Sequence, residues 1–363
     1  MSDARLFTNF AEQLLSVREA ALTGRLDPRL RQVERRASIA PAGASEMVPS
    51  DGGFLVAPEF SRQILNRVYD TGQILKRCLQ MPMTATNTLK IPQFSEKSRA
   101  TGSRLGGVQV YSQNEAESLE VISGTYSQKP TFEQSTFTAK KLTGLVFLTE
   151  ELSLDTDAFN TWALYAFSQE LAFTLENQII NGSGPGQCLG ILNSPALVVV
   201  PKQTGQPTGS INGDNVIDMR ASLWAPSRGK AIWLYNQQNL RSLGTLSLNT
   251  GAAQVLLWNF STDETKPDTL CGIAAYPSEY CQAPGALGDI MLIDCSRYLV
   301  AVREMRSEVS IHVLFLTDQD AFRFIWRVDG APIDQSAIQP LNATQASPPA
   351  FFTSPFVALA ARP

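Results

Sequence analysis

The stretch "SLDTDAFNTWALYAFSQELAFTLENQIINGSGPGQCLGIL", Ser153 to Leu192, decides how the rest of the chain is read. Ser153 and Asp155 are capping candidates, and neither proline nor glycine interrupts the run from Leu152 to Asn181. Phe159, Trp162, Ala163, Ala166, Phe167, Leu171, Leu175 and Ile179 recur at helical spacing as a broad apolar stripe. Between Ala158 and Asn181 only Glu170 and Glu176 carry charge. About 25 helical residues at 1.5 Å each predict a rod of roughly 38 Å, buried over most of its circumference. The glycine-rich "NGSGPGQ" that follows could cradle a phosphate or end the rod. Phosphate loops follow a strand and sit at a helix N-terminus, where free N–H groups attract anions. This one lies at the opposite, negative end and lacks a GK[ST] ending. Asn181 and Gly182 suit a C-cap and Pro185 prevents continuation, so the turn stops a helix.

Outward from the rod, "TNTLKIPQF" alternates like a strand, and "PTFEQSTFTAKKLTGLVFLTEEL" is a second, strong one. The segment between them, 95–129, is polar and weakly patterned. Two extended arms with a soft middle predict a long hairpin standing off the body. After Ile211 helices and strands alternate: "GDNVIDMRASLW" and "QQNLRSLGTL" read as helices. "KAIWLYN", "GDIMLIDCSRYLVAVR" and "VSIHVLFLTDQDAFRFIWRVDGAPI" read as strands. The class is α+β.

The two ends look different. Leu6, Phe10, Leu14, Leu15 and Leu22 predict a short amphipathic helix over about residues 4–22. "RLDPRLRQVERR" follows, where Arg25, Arg29, Arg31, Arg35 and Arg36 form either a solvated linker helix or a basic arm for nucleic acid. "SIAPAGASEMVPSDGG" is a flexible link, after which Pro58 opens a helix to about Tyr69. At the other end, "LNATQASPPAFFTSPFVALAARP" carries Phe351, Phe352 and Phe356 on a proline-rich tail, which wants a partner surface to cover them.

The whole-chain totals fit a protein covered by others. Of 363 residues 44% are apolar and only 18% charged, below the ~25% of ordinary globular domains. A formal net charge of −4 argues against a surface devoted to nucleic acid. The five cysteines show no CxxC spacing and read as reduced core residues, and the single histidine, His312, sits in an apolar strand. No metal, cofactor or catalytic residue is indicated: there is no G-x-S-x-G elbow and no ligand cluster. No signal peptide or membrane-spanning run is visible, so a cytosolic site of synthesis is expected.

Six segments, in order, resemble the tailed-bacteriophage major capsid proteins of the Hong Kong 97-like (Johnson) fold. They are "SDGGFLVAPEFSRQIL" (50–65), "TLKIPQF" (88–94), "PTFEQSTFTAKKLTGLVFLTEELSLD" (130–155), and "QELAFTLENQIINGSGPGQCLGIL" (169–192). "YPSEY" with "GDIMLIDCSRYLV" (276–300) and "DAFRFIWRVDGAPIDQSAI" (320–338) complete the set. The resemblance implies an N-arm at 1–51, the start of a P-domain at 52–87, and an extended E-loop at 88–143. It implies a P-domain at 144–210 with spine helix 152–181, an A-domain at 211–310, a return to the P-domain at 311–341, and a C-terminal arm at 342–363.

By the same resemblance the chain is a shell protein, not an enzyme and without cofactors. It would assemble with itself into pentamers and hexamers of an icosahedral virion capsid in the bacterial cytoplasm. Other implied partners are a portal, scaffolding or decoration proteins, and non-specifically bound double-stranded DNA, with no membrane. The five arginines named above would meet phosphates; Lys97, Phe132, Phe351, Phe352 and Phe356 would meet neighbouring copies. Many relatives lose a long scaffolding segment before the "GGFLVP"-type motif. About 50 residues precede it here, so this N-arm is expected to stay. Some relatives crosslink a Lys to an Asn of a neighbour; Lys97 and Asn342 are the residues to consider, though nothing in the sequence marks the trio such a bond needs. Two other readings remain open: an encapsulin-type nanocompartment shell, and a cytosolic hydrolase.

Overall fold

The computed structural model describes residues 6–7, 9–23, 27–37, 53–55, 67–68, 72–83, 87–94, 96–99, 132–149, 156–250, 253–263, 266–314, 319–341 and 351–363. The expected caps Ser153 and Asp155, the helix after Pro58, most of the 95–129 segment, Arg25 and Asn342 lie outside them.

The rod forms as α3, Thr156–Asn181 (α1 and α2, described below, precede it). Phe167, Leu171, Leu175 and Ile179 are buried, while Tyr165, Glu170, Phe173 and Asn177 are exposed, a 3.6-residue alternation of faces. From Tyr165 to Asn181 the helix is covered over most of its circumference, with one narrow exposed edge. Its cover is the first sheet, ordered β1 (Gly53–Leu55), β14 (Tyr298–Leu314), β15 (Gln319–Pro332) and β5 (Lys140–Thr149), with β2 (Leu79–Pro82) also paired to β14. Every second residue of β15, Phe322, Phe324, Trp326 and Val328, enters the core beneath α3, as strand geometry demands. Phe167 of the helix meets Phe324 at a centroid separation of 3.9 Å.

The glycine turn ends the rod as the sequence predicts. Gly182 N–H closes the last helical turn on Gln178 O, 2.9 Å away. Gly184 and Gly186 then take φ of 94° and 74°, where a side chain is strained. A Cβ on Gly182 would stand 2.2 Å from Cys188 O, so chain and chain pass too closely for any other residue. Leu189 N–H donates to Gly330 O at 2.8 Å and Tyr298 Oη donates to Leu189 O at 2.9 Å, docking the turn on the β14–β15 hairpin.

A second sheet carries the short strands. Its order is β10 (Trp258–Asn259), β11 (Asp268–Leu270), β12 (Ile273–Pro277), β7 (Ile232–Tyr235), β13 (Ile290–Ile293), β16 (Phe356–Leu359) and β6 (Val198–Val200). Alternate residues serve two cores. Ile232, Leu234, Met291, Ile293, Phe356 and Ala358 face the core shared with α3. Trp233, Tyr235, Ile290, Leu292, Val357 and Leu359 face a core built with α4 (Gly213–Ser222) and the short α5 (Leu240–Gly244). A separate hairpin joins β8 (Ser247–Thr250) to β9 (Ala253–Leu256).

Both chain ends depart from the expected arms. The C-terminal segment is no arm: β16 lies between β13 and β6 inside the second sheet, with all four residues buried. Phe356 is therefore a core residue and is unavailable to a neighbouring copy. At the other end, α1 (Phe10–Thr23) and α2 (Pro28–Ala37) place Phe7, Leu14, Val17, Leu30 and Val33 in the same core as α3. Counting charges in "RLDPRLRQVERR" hid Leu30 and Val33, whose i,i+3 spacing gives that helix an apolar edge. The segment boundaries shift accordingly. The chain enters the second sheet at Val198, leaves it at Ile293, has rejoined the first sheet by Tyr298, and returns to the second for β16.

Candidate assembly surfaces

The expected hairpin forms from β3 (Thr88–Phe94) and β4 (Phe132–Thr138), paired from Thr88 opposite Thr138 to Phe94 opposite Phe132. The long apolar-and-polar run that reads as one strand is two. The chain breaks at Ala139, where N–H donates to Asn87 O at 2.8 Å, and β5 departs into the first sheet. The hairpin thus ends at Thr138 rather than Thr143. Along β4 burial alternates: Phe137 is buried with Met83, Leu299 and Ala301, whereas Phe132 at the far end is 65% exposed.

Two fastenings hold this hairpin, one at its root and one just beyond its far end. Lys140 Nζ lies 2.9 Å from Asp329 Oδ1 and donates to Gln187 O at 2.6 Å. Asp329 also accepts from the backbone N–H groups of Thr138 and Gly330, each at 2.8 Å. Such charge-assisted bonds are the strong ones, and here they join the hairpin, β15 and the glycine turn at one point. The second fastening is a ladder: Gln339 N–H donates to Lys97 O at 3.1 Å and Arg99 N–H donates to Gln339 O at 3.0 Å. Ile338 and Thr353 exchange both backbone bonds at 2.9 Å, and Trp224 N–H reaches Ser354 O at 2.9 Å. Hydrogen bonds therefore run unbroken from the hairpin through the C-terminal segment to the second sheet. A polar cleft of about 270 Å³ opens beside the ladder, lined in part by Glu96, Glu133, Arg297 and Asp334. Arg297 forks onto Asp334 at 2.8 and 2.5 Å, and this hydrogen bonding holds its pKa above the usual value against the cost of burial.

Among the buried carboxylates, Glu176 and Asp289 were given no role in the sequence reading. Glu176, on the inner face of α3, accepts the backbone N–H groups of Ile74 and Leu75 at 2.7 and 2.9 Å. Burial pushes its pKa up, and those two donors pull it partly back. Asp289 pairs with Arg362, and both side chains are fully buried. Asn239 Nδ2 and Gly285 N–H add bonds to the same Asp289 oxygen at 3.1 and 2.9 Å, while Arg362 O accepts from Gly209 N–H at 3.0 Å. This pair pins the chain end after β16. Its one legible sign is a lone arginine closing an apolar run, "FVALAARP". The cysteines are free thiols as expected; burial pushes Cys188 and Cys281 up to about 12.

The residues expected to contact DNA or neighbours fall in several places. Arg29 is committed within the N-terminal helices: it pairs with Glu12 at 2.7 Å and Asp27 at 2.9 Å and lies over the Phe7 ring. It is not an open phosphate contact. Arg31, Arg35 and Arg36 lie on the same helix, α2. Lys97 is exposed just beyond the far end of the hairpin, 3.5 Å from Glu133. Phe351 and Phe352 remain exposed, beside β6. Leu145 and Phe147 on the outer face of β5, and Tyr165 and Phe173 on α3, add exposed apolar surface that the sequence did not single out. Among the described residues no group of three or more His, Cys, Asp or Glu could hold a metal ion. Nor is any described helix long and apolar enough to cross a membrane.

A spine helix under one sheet, a two-stranded hairpin continuing from its β5 edge and a second, two-cored sheet define the Hong Kong 97-like class of capsid folds. Solved structures agree. The capsid of an empty GTA particle matches with a TM-score of 0.56 at 14% identity, covering 81% of this chain and 97% of that one. The capsid of a native GTA particle matches with a TM-score of 0.54, also at 14% identity, over 89% and 96%. No curated protein matches in sequence. The model of the phage capsid family matches residues 52–343, and the chain belongs to that family. It is a major capsid protein.

Proposed function

We propose that copies of this chain form pentamers and hexamers, which close into an icosahedral shell around double-stranded phage DNA. What carries this reading is the family match across residues 52–343. The two GTA capsids, both solved with five-fold symmetry, support rings of copies. The hairpin supplies contact surface: held at its root by Lys140–Asp329, it presents an exposed Phe132 to a neighbour. Closed symmetric assemblies repeat one interface many times, in five-fold or six-fold surroundings. The inner face needs only sequence-independent phosphate contacts, for which Arg25, Arg31, Arg35 and Arg36 are the candidates. A portal, and scaffolding or decoration proteins, complete the assembly in the host cytoplasm; Lys97 and Phe132 would lie at contacts between copies.

Electron microscopy of the purified protein tests the reading. Closed shells with nuclease-protected DNA are expected. Shells filled by a co-purifying enzyme would transfer the chain to the nanocompartment class. A stable monomer with catalytic turnover would end the shell reading altogether.

A further inference from the structure

Cys78 and Cys295 stand far apart in the chain and meet in the core. Cys78 closes the short turn Leu75–Arg77 and immediately precedes β2; Cys295 opens the turn Cys295–Arg297, which feeds β14. β2 and β14 pair in parallel, with Leu79 opposite Leu299, so the two turns enter side by side and pack on each other. Paired strands lie ~4.8 Å apart, and a disulfide bridges Cα atoms roughly 4.4–6.8 Å apart. The Cys78 thiol donates to Ile74 O at 3.4 Å and is hydrogen-bonded to the Cys295 thiol. Both belong to the core shared with α3. The remaining cysteines have other company: Cys188 lies by Asp329 and Lys140, Cys271 by Arg220, and Cys281 by Ser278.

We propose that Cys78 and Cys295 form a reversible intrachain disulfide, closed by a peroxide, that staples the segment entering β2 to the crossing between the two sheets. Cys78 is 8% exposed and Cys295 1%, so a small oxidant reaches Cys78 first. Its sulfur, as thiolate, attacks one peroxide oxygen; the O–O bond breaks and the other oxygen leaves as hydroxide, which takes the thiol's proton to become water. The Cys295 sulfur then attacks the Cys78 sulfur, the S–O bond breaks, and the second hydroxide leaves as water with the Cys295 proton. Two thiols lose two electrons, and one peroxide becomes two waters. The hydrogen bond to Cys295, burial and the nearby Glu176 charge push the Cys78 thiol well above its usual value, so thiolate is scarce and closure is slow. Slow closure suits a particle that outlasts the reducing interior of a cell; that timing rests on the shell reading above, and the bond itself does not.

The position gives the bond leverage. Cys78 follows Ile74 and Leu75, which donate to Glu176 of α3, and Cys295 follows Ile293, where the chain leaves the second sheet. Closing the long loop between positions 78 and 295 also restrains the unfolded chain more than a short loop would.

The test treats the full-length chain, as particles and as dissociated copies, with hydrogen peroxide under native conditions, followed by catalase and alkylation in urea. Mass spectrometry of the digest should find the peptides of Cys78 and Cys295 linked in most copies, and dithiothreitol should release them. The linked chain should melt ~5 °C higher, and Cys78→Ala and Cys295→Ala should each abolish that shift. Treated chain in which both cysteines are still alkylated, or carry sulfinic acid without a link, overturns the proposal, as does a link from either to another cysteine. The peptide readout needs no substitution, so a variant that fails to fold cannot obscure it. Linked copies that form no shells would keep the staple and end the shell reading; shells without the link would do the reverse.

Discussion

Strand β4, "FEQSTFT", and the terminal segment "FFTSPFVAL" look alike as sequences, phenylalanines set among small and polar residues, yet they end in opposite surroundings. In β4 exposure alternates and Phe132 is 65% exposed. In β16 nothing is exposed. The difference is the number of sides that the rest of the chain covers. β4 has one strand neighbour, β3, and one packed face; β16 has a strand on each edge and a core on each face. A phenylalanine's fate in this protein is set by who its strand's neighbours are, and that comes from distant parts of the chain.

The contrast makes its strongest claim about the chain end. Arg362→Met should cost about 3–5 kcal/mol of unfolding free energy, measured by urea denaturation of dissociated copies, because Asp289 stays buried without its partner. Replacing both, Asp289→Leu with Arg362→Met, should recover most of the loss. Failure to recover would mean that the pair stabilises the sheet beyond keeping each other company. Phe356→Ala should cost about 3–5 kcal/mol by the same measurement, since the cavity opens between packed strands that cannot collapse into it.

A pH titration separates the body from the hairpin. Glu176 has its pKa raised in the fold from an ordinary 4.5, so the folded state binds its proton more tightly than the unfolded chain. The stability it contributes is fully present below about pH 4.5 and is lost as pH rises through the raised value. Glu176→Gln, which keeps an oxygen for the Ile74 and Leu75 donors, should flatten that part of the stability profile. An unchanged slope would show that other groups set it. The smallest effect on folding belongs to the exposed end of β4. Phe132→Ala should shift unfolding by no more than ~0.5 kcal/mol and leave the Glu176 slope untouched, while lowering the yield of closed shells. A large loss of monomer stability would mean that contacts within the chain, rather than contacts between copies, set the worth of this ring.

The elements that could be read before the structure are those with local causes. The stripe from Phe167 to Ile179 repeats every three to four residues, and glycines at positive φ follow it, so both the spine helix and its end were legible. The hairpin was legible from alternation, although its root was placed at Thr143 because the break at Ala139 has no proline or glycine to announce it. The candidate surfaces were harder. Phe351, Phe352 and Phe356 were read together as seeking a partner, but one enters the core and two stay outside. A groove beside β6 needs residues from four separated segments, and no window of sequence contains it.

By itself, then, the amino-acid order determined the long helix, its glycine stop, the paired strands of the hairpin and the family. Each of these depends on spacing within a few residues or on a string of short motifs in register. Only the tertiary structure decided that the last strand lies inside the second sheet, that the N-terminal helices join the first core, and that Asp289 meets Arg362. Sheet order and buried pairing are sums over contacts between residues far apart in the chain. Local periodicity says that a strand wants cover, and only the folded neighbours say on how many sides it gets it.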